Sequence, residues 1–175
     1  MYCINFYGGP CSGKSTLAGG LFHYMKTKAY NVELAMEFAK DCVWEDNINM
    51  LEDQLYVFAH QHRRLLRLKN NADYAITDSP ILLSTVYREK YGTSVYTDSL
   101  DKLVKEVYRN YNNIDIFVTR APNFKELGRY HNQQESIDID NEIKSLLEEM
   151  NPNYLTVGID ITLPTLFRYM INGRQ

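Results

Sequence analysis

Short apolar runs alternate with longer stretches of helical period along this chain. The first run, "YCINFY" (2–7), has strand length and stops at Gly8, after which apolar residues recur at helical spacing through "STLAGGLFHYMKTK" (15–28). "VELAM" (32–36) predicts a second strand, followed by the acidic and aromatic "EFAKDCVWED". A helix is expected from Met50 to Lys69, and a third strand over "DYAITDS" (73–79). Two further helices follow, "PILLSTVYREKY" (80–91) and "DSLDKLVKEVYRNY" (98–111), and then a fourth strand, "IDIFVTR" (114–120). The chain closes on a helix, "IDIDNEIKSLLEEM" (137–150), a strand, "NYLTVGI" (153–159), and a helix, "LPTLFRYMI" (163–171).

Strands alternating with helices predict an α/β fold with a parallel sheet covered on both faces. Sheets of this kind take ligands beyond the carboxyl ends of their strands. Polar residues cluster in those places: Gly8 to Ser15 after the first strand, Glu37 after the second, Asp78 after the third and Arg120 after the fourth. The stretch 121–136, "APNFKELGRYHNQQES", has no clear apolar period and is expected to act as a lid. No linker or internal repeat divides the chain, and 175 residues are expected to form one domain, 1–175.

Composition narrows the class. Hydrophobic residues make up 45% and charged residues 23%, the usage of an ordinary globular domain rather than a disordered one. A net charge of −3 gives no global basic field for a phosphate backbone. Cys3, Cys11 and Cys42 have neither a paired framework nor metal-binding spacing, which suits a reducing compartment. With no signal peptide and no run of about 20 apolar residues, the expectation is a cytoplasmic protein with no membrane partner.

The segment "GGPCSGKST" carries the strongest chemical signal. Gly8, Gly13, Lys14 and Ser15 satisfy G-x-x-x-x-G-K-[ST] between a strand and a helix, the context that a phosphate-binding loop requires. The residues from Gly8 through Gly9, Pro10, Cys11, Ser12 and Gly13 to Thr16 are therefore expected to cradle a nucleoside triphosphate, ATP, by backbone N–H groups and the helix N-terminus. Lys14 would reach the β- and γ-phosphates, and the Ser15 hydroxyl would ligate Mg²⁺. Asp78, ending the third strand, stands where a carboxylate binds Mg²⁺ directly or through water, or else caps the turn before Pro80. Glu37, with Asp41 one turn on, could take a proton from a hydroxyl acceptor, or be a first-turn acid favoured by the helix dipole.

These residues resemble the P-loop nucleoside and nucleotide kinases. The similarity is greatest to small phage-encoded P-loop kinase-like proteins and to the ribosylnicotinamide kinase domain of NadR. It rests on "GGPCSGKSTLA", "ELAMEFAKD", "TDSP" as the Walker B strand, and "GRYHNQQESIDIDNEI" as lid and following helix. The resemblance implies a three-layer sandwich with strand order 2-3-1-4-5 and Asp78 beside the loop. It also implies Glu37 as the base, and Arg120 and Arg129 approaching the transferred phosphoryl group from the lid side. The chain departs from the cellular deoxynucleoside kinases in placing Ser79 and Pro80, not Arg-Ser, after the third-strand acid.

The acceptor side offers Trp44, Gln54, Gln61 and Arg64. Two glutamines on one helix face could read the edge of a base or simply face solvent, and Trp44 could stack on a base or join the core. Arg63, Arg64 and Arg67 are either a solvated helix end or a phosphate contact. The sequence thus leads to an ATP- and Mg²⁺-dependent kinase acting on a nucleoside or nucleotide. Two alternatives stand beside it: a kinase for hydroxymethylated pyrimidines in phage DNA, and a nucleotide-dependent switch or ATPase without an acceptor.

Overall fold

A computed structural model describes residues 1–91, 97–120 and 133–172. Its strands are β1 (Tyr2–Tyr7), β2 (Val32–Leu34), β3 (Tyr74–Thr77), β4 (Asn112–Thr119) and β5 (Leu155–Gly158). Its α-helices are α1 (Lys14–Thr27), α2 (Phe38–Trp44), α3 (Gln54–Leu66), α4 (Leu83–Tyr91), α5 (Thr97–Arg109), α6 (Gln133–Met150) and α7 (Leu163–Asn172). The five strands form one parallel sheet in the order β2-β3-β1-β4-β5, as the resemblance implied.

β1 lies at the centre, with Ile4 in register with both Ile76 and Ile114. A central parallel strand is covered on both faces, which is why "YCINFY" reads as a continuous apolar run instead of an alternating one. Ile4 and Phe6 face a core made with Leu17, Leu21 and Met25 of α1 and Leu166 and Met170 of α7. Cys3 and Tyr7 face the other layer, packed with Phe58 of α3, Val86 of α4, Val104 of α5 and Ile143 of α6. These two buried layers hold the carboxyl edge of the sheet rigid, and every loop that carries candidate chemistry leaves from that edge.

Two elements differ from the periodicity. The helix expected from Met50 to Lys69 is a 3₁₀ turn, Ile48–Glu52, followed by α3. The break falls at Asp53, whose side chain accepts from the Tyr56 amide at 3.1 Å and so caps a new helix. β2 stops at Leu34 rather than Met36, although the Ala35 amide still donates to the Ile76 carbonyl at 2.8 Å. Of the stretch 121–136, residues 133–136 form the first turn of α6; residues 121–132, including Arg129, lie outside the described residues. No helix among the described residues is long and apolar enough to cross a membrane.

One polar group sits inside the sheet layer. Asp115 of β4 is 2% exposed and accepts from Asn5 at 2.9 Å, from Asn151 at 2.7 Å and from the Tyr108 hydroxyl. Burying a carboxylate is tolerable only when its lone pairs are satisfied, as these are. Asp115→Ala should lower unfolding stability by about 3 kcal/mol, because the buried Tyr108 hydroxyl and Asn5 amide and the half-buried Asn151 amide lose an acceptor together. Urea unfolding checks this, and a loss below about 0.5 kcal/mol, the size of an ordinary surface effect, would contradict it.

Candidate active site

The phosphate loop is built by backbone conformations that few residues accept. β1 ends at Tyr7, Gly8 takes φ +137° and Gly13 takes φ +97° to turn the chain into α1. Glycine adopts this region without the steric cost a side chain brings. The first backbone bond of α1 runs from the Leu17 amide to the Gly13 carbonyl at 3.0 Å, so the amides of Lys14, Ser15 and Thr16 have no helical carbonyl beneath them. They head an open cavity of about 220 Å³ lined by Cys11, Gly13, Lys14, Ser15 and Thr16. Such a concave set of amides at a helix N-terminus suits a polyphosphate.

Lys14 folds back over the loop, its Nζ donating to the carbonyls of Gly8 at 2.7 Å and Gly9 at 2.9 Å. Burial pushes its pKa down, opposed by the negative charges of Glu37, Asp78 and Asp140. Asp78 is 3% exposed, and its Oδ2 accepts from the Ser15 hydroxyl at 2.5 Å. Its second oxygen, Oδ1, is buried with no hydrogen-bond partner among the described residues. A buried carboxylate oxygen left over beside a hydroxyl is the hard oxygen pair a Mg²⁺ ion takes, so Ser15 and Asp78 fit the expected metal.

Glu37 lies between the end of β2 and the start of α2. Burial raises its carboxyl pKa above the usual range, partly offset by Lys14. Gln61 of α3 fixes this corner. Its Oε1 accepts from the Phe38 amide at 3.1 Å, while its Nε2 donates to Thr77 Oγ1 at 3.2 Å and to the Ala35 carbonyl at 3.4 Å. One buried amide thereby ties the Glu37 corner to the end of β3, next to Asp78.

The remaining acceptor-side residues do not converge on the cavity as a set. Gln54 is buried with its amide on the Leu51 carbonyl at 2.6 Å, so neither glutamine faces solvent. Trp44, at the end of α2, is 79% exposed and outside the core. Arg64 is paired with Asp41 and donates to the Met36 carbonyl at 2.9 Å, with its guanidinium over the Phe38 ring. That pairing engages Asp41, whereas Glu37 is among the carboxylates that act on Lys14. Tyr87 of α4 packs against the core on this side of the sheet, where burial raises its pKa, as do Glu37 and Asp140 nearby.

Arg120, the residue after β4, reaches the loop from its outer side. Its guanidinium donates to the Pro10 carbonyl at 2.5 Å and the Ser136 carbonyl at 3.2 Å, and pairs with Asp140 at 3.0 Å. Asp140 also accepts from the Gly9 amide at 2.5 Å. Asp140 lies within the "GRYHNQQESIDIDNEI" stretch, but the sequence alone assigns it no role. Its signal is positional: Ser136 and Asp140 extend the buried stripe of Ile139, Ile143 and Leu147 toward the start of α6, polar residues on a core face nearest the sheet's carboxyl edge.

Comparisons with known proteins agree with this geometry. A family profile described as an AAA domain (AAA_28) matches residues 3–161. No curated protein sequence matches the chain. Among solved structures, the chain resembles the NadR protein in complex with NR, with a TM-score of 0.69 at 15% identity, over 98% of this chain and 50% of that one. The chain therefore spans about half the length of that protein. It also resembles deoxyadenosine kinase from M. mycoides with bound dATP, with a TM-score of 0.54 at 14% identity, over 97% of both chains. At these identities the likeness shows a P-loop, nucleoside-kinase-like fold.

Proposed function

This chain belongs to the AAA domain family AAA_28, and from that premise and the geometry of its phosphate loop we propose that it is an ATP- and Mg²⁺-dependent kinase for a nucleoside-type acceptor. The observation that carries the reading is the meeting of Lys14, the Ser15–Asp78 pair and Glu37 at one carboxyl edge of the sheet. A bare nucleotide switch has no use for a half-buried carboxylate placed beside the phosphate loop and Lys14 in addition to the Asp78 carboxylate. A kinase does, because the acceptor hydroxyl must lose its proton as its oxygen bonds to the γ-phosphorus.

In this reading the loop amides and Lys14 bind the triphosphate and neutralise charge on the transferred group. Ser15 and Asp78 hold Mg²⁺, which supplies electrostatic stabilisation of the phosphate oxygens. Glu37 receives the acceptor proton while the bond from the γ-phosphorus to the departing diphosphate oxygen breaks. Gln61 holds Glu37 and the Asp78 strand end in fixed relation, which keeps base and metal site at a constant separation.

Charge supports an uncharged acceptor. Glu37, Asp78 and Asp140 all act on Lys14, while Arg64 and Arg120 are each already paired with a carboxylate. An acceptor phosphate placed beside these carboxylates would be disfavoured relative to an uncharged acceptor. The cluster read as a DNA contact loses Arg64 to Asp41, leaving Arg63 exposed on α3 and Arg67 exposed just after it. With γ-labelled ATP, nucleosides should exceed their 5′-monophosphates in kcat/KM by roughly tenfold or more. Preference for monophosphates, or for oligonucleotides bearing hydroxymethylated pyrimidines, would overturn the acceptor assignment.

A further inference from the structure

The contact between α6 and the phosphate loop is a buried three-way joint. A side chain at Gly9 would place its Cβ 2.8 Å from the Ser136 carbonyl oxygen, 2.9 Å from Asp140 Oδ1 and 3.0 Å from Arg120 Nη2. Only a residue without a side chain lets the loop approach the helix so closely. The side chains of Arg120 and Asp140 are 11% and 12% exposed, so their charges meet in a medium where pairing is strong and separation is costly.

The hydrogen bonds interlock. One carboxylate oxygen of Asp140 takes the Gly9 amide and the other takes Arg120, while Arg120 returns to the loop through the Pro10 carbonyl. Two successive residues of the loop, one by its N–H and one by its C=O, are thereby held by a single ion pair.

We propose that Asp140 is a positioning residue that clamps the phosphate loop to α6 through the Gly9 amide and Arg120. In this arrangement Arg120 acts on the shape of the loop from outside, and the first turns of α6 are coupled to nucleotide binding through a side chain that touches no phosphate. The clamp fixes the residues preceding Ser12 to Lys14, so the amides that meet the triphosphate are set before it arrives.

The clamp rests on the phosphate-loop part of the proposed function, and its test reads amide exchange and nucleotide binding rather than turnover. Amide hydrogen exchange of the nucleotide-free protein should show the Gly9 amide protected, and Asp140→Asn should raise its exchange at least tenfold with little change in strands β1 and β3. Binding of MgATP, measured calorimetrically, should weaken roughly 10- to 100-fold in the same variant. Arg120→Gln should weaken it similarly, and the double variant should be no worse than the poorer single one, since both act through one joint. Gly9→Ala perturbs the joint from the loop side without touching a charge and should reproduce the loss, which keeps the test open if Asp140→Asn does not fold. Wild-type protection and wild-type affinity in either folded variant, or additive losses in the double variant, would overturn the clamp. A protein that binds MgATP with this pattern but phosphorylates nothing would refute the kinase reading and leave the clamp standing.

Discussion

Lys14→Ala should abolish phosphoryl transfer, with kcat/KM falling roughly 10³-fold or more. The side chain is half-buried, fixed by two loop carbonyls and faced by the negative charge of Glu37, Asp78 and Asp140, so its loss leaves that charge unopposed at the loop. Its removal leaves three carboxylates beside an incoming polyphosphate. Nucleotide affinity should therefore fall together with turnover. Because Lys14 lies at the rim of the loop rather than in either apolar layer, thermal unfolding should shift little. Turnover within about threefold of wild type would exclude Lys14 from the transfer step.

Glu37→Gln should separate chemistry from binding. Turnover falls roughly 10²- to 10⁴-fold, the range for loss of a general base, while MgATP affinity stays near wild type. The pH dependence supplies an independent signature. Burial raises the Glu37 pKa, so the protonated, inactive form persists to higher pH than for an exposed glutamate. Activity of the wild type, followed as kcat/KM for the acceptor, should rise with pH through an acid limb lying above the ordinary glutamate range. That limb should vanish in Glu37→Gln. An unchanged limb, or unchanged turnover, would assign the proton transfer to another group.

The parts of this site that could be read from sequence are those set by local rules. Gly8, Gly13, Lys14 and Ser15 are fixed by a motif whose spacing follows from backbone geometry, and Asp78 by its place at the end of an apolar strand. The strand order needed the resemblance, because periodicity says which segments are strands and not which lie side by side. The interruption at Asp53 was hidden because apolar residues continue on both sides of it, while the capping hydrogen bond acts on a single turn.

Gln61 and Asp140 were beyond local reading for a different reason. Each satisfies partners far away in the chain: Gln61 joins Phe38 and Thr77, and Asp140 joins Gly9 and Arg120. A polar residue on a buried helical stripe signals that such partners exist. Their identity depends on tertiary packing. Gln61 thus reads as a candidate base contact in sequence and as a brace in three dimensions.

The central claim is that γ-phosphate passes to an organic hydroxyl and not to water. Its most direct test follows the label from γ-labelled ATP in the presence of a nucleoside panel and measures the partition between phosphorylated acceptor and inorganic phosphate. The account predicts that at least one nucleoside takes most of the label, that it accelerates ATP consumption, and that Glu37→Gln removes this transfer. Label appearing only as inorganic phosphate, at a rate indifferent to every acceptor and to Glu37→Gln, would contradict it.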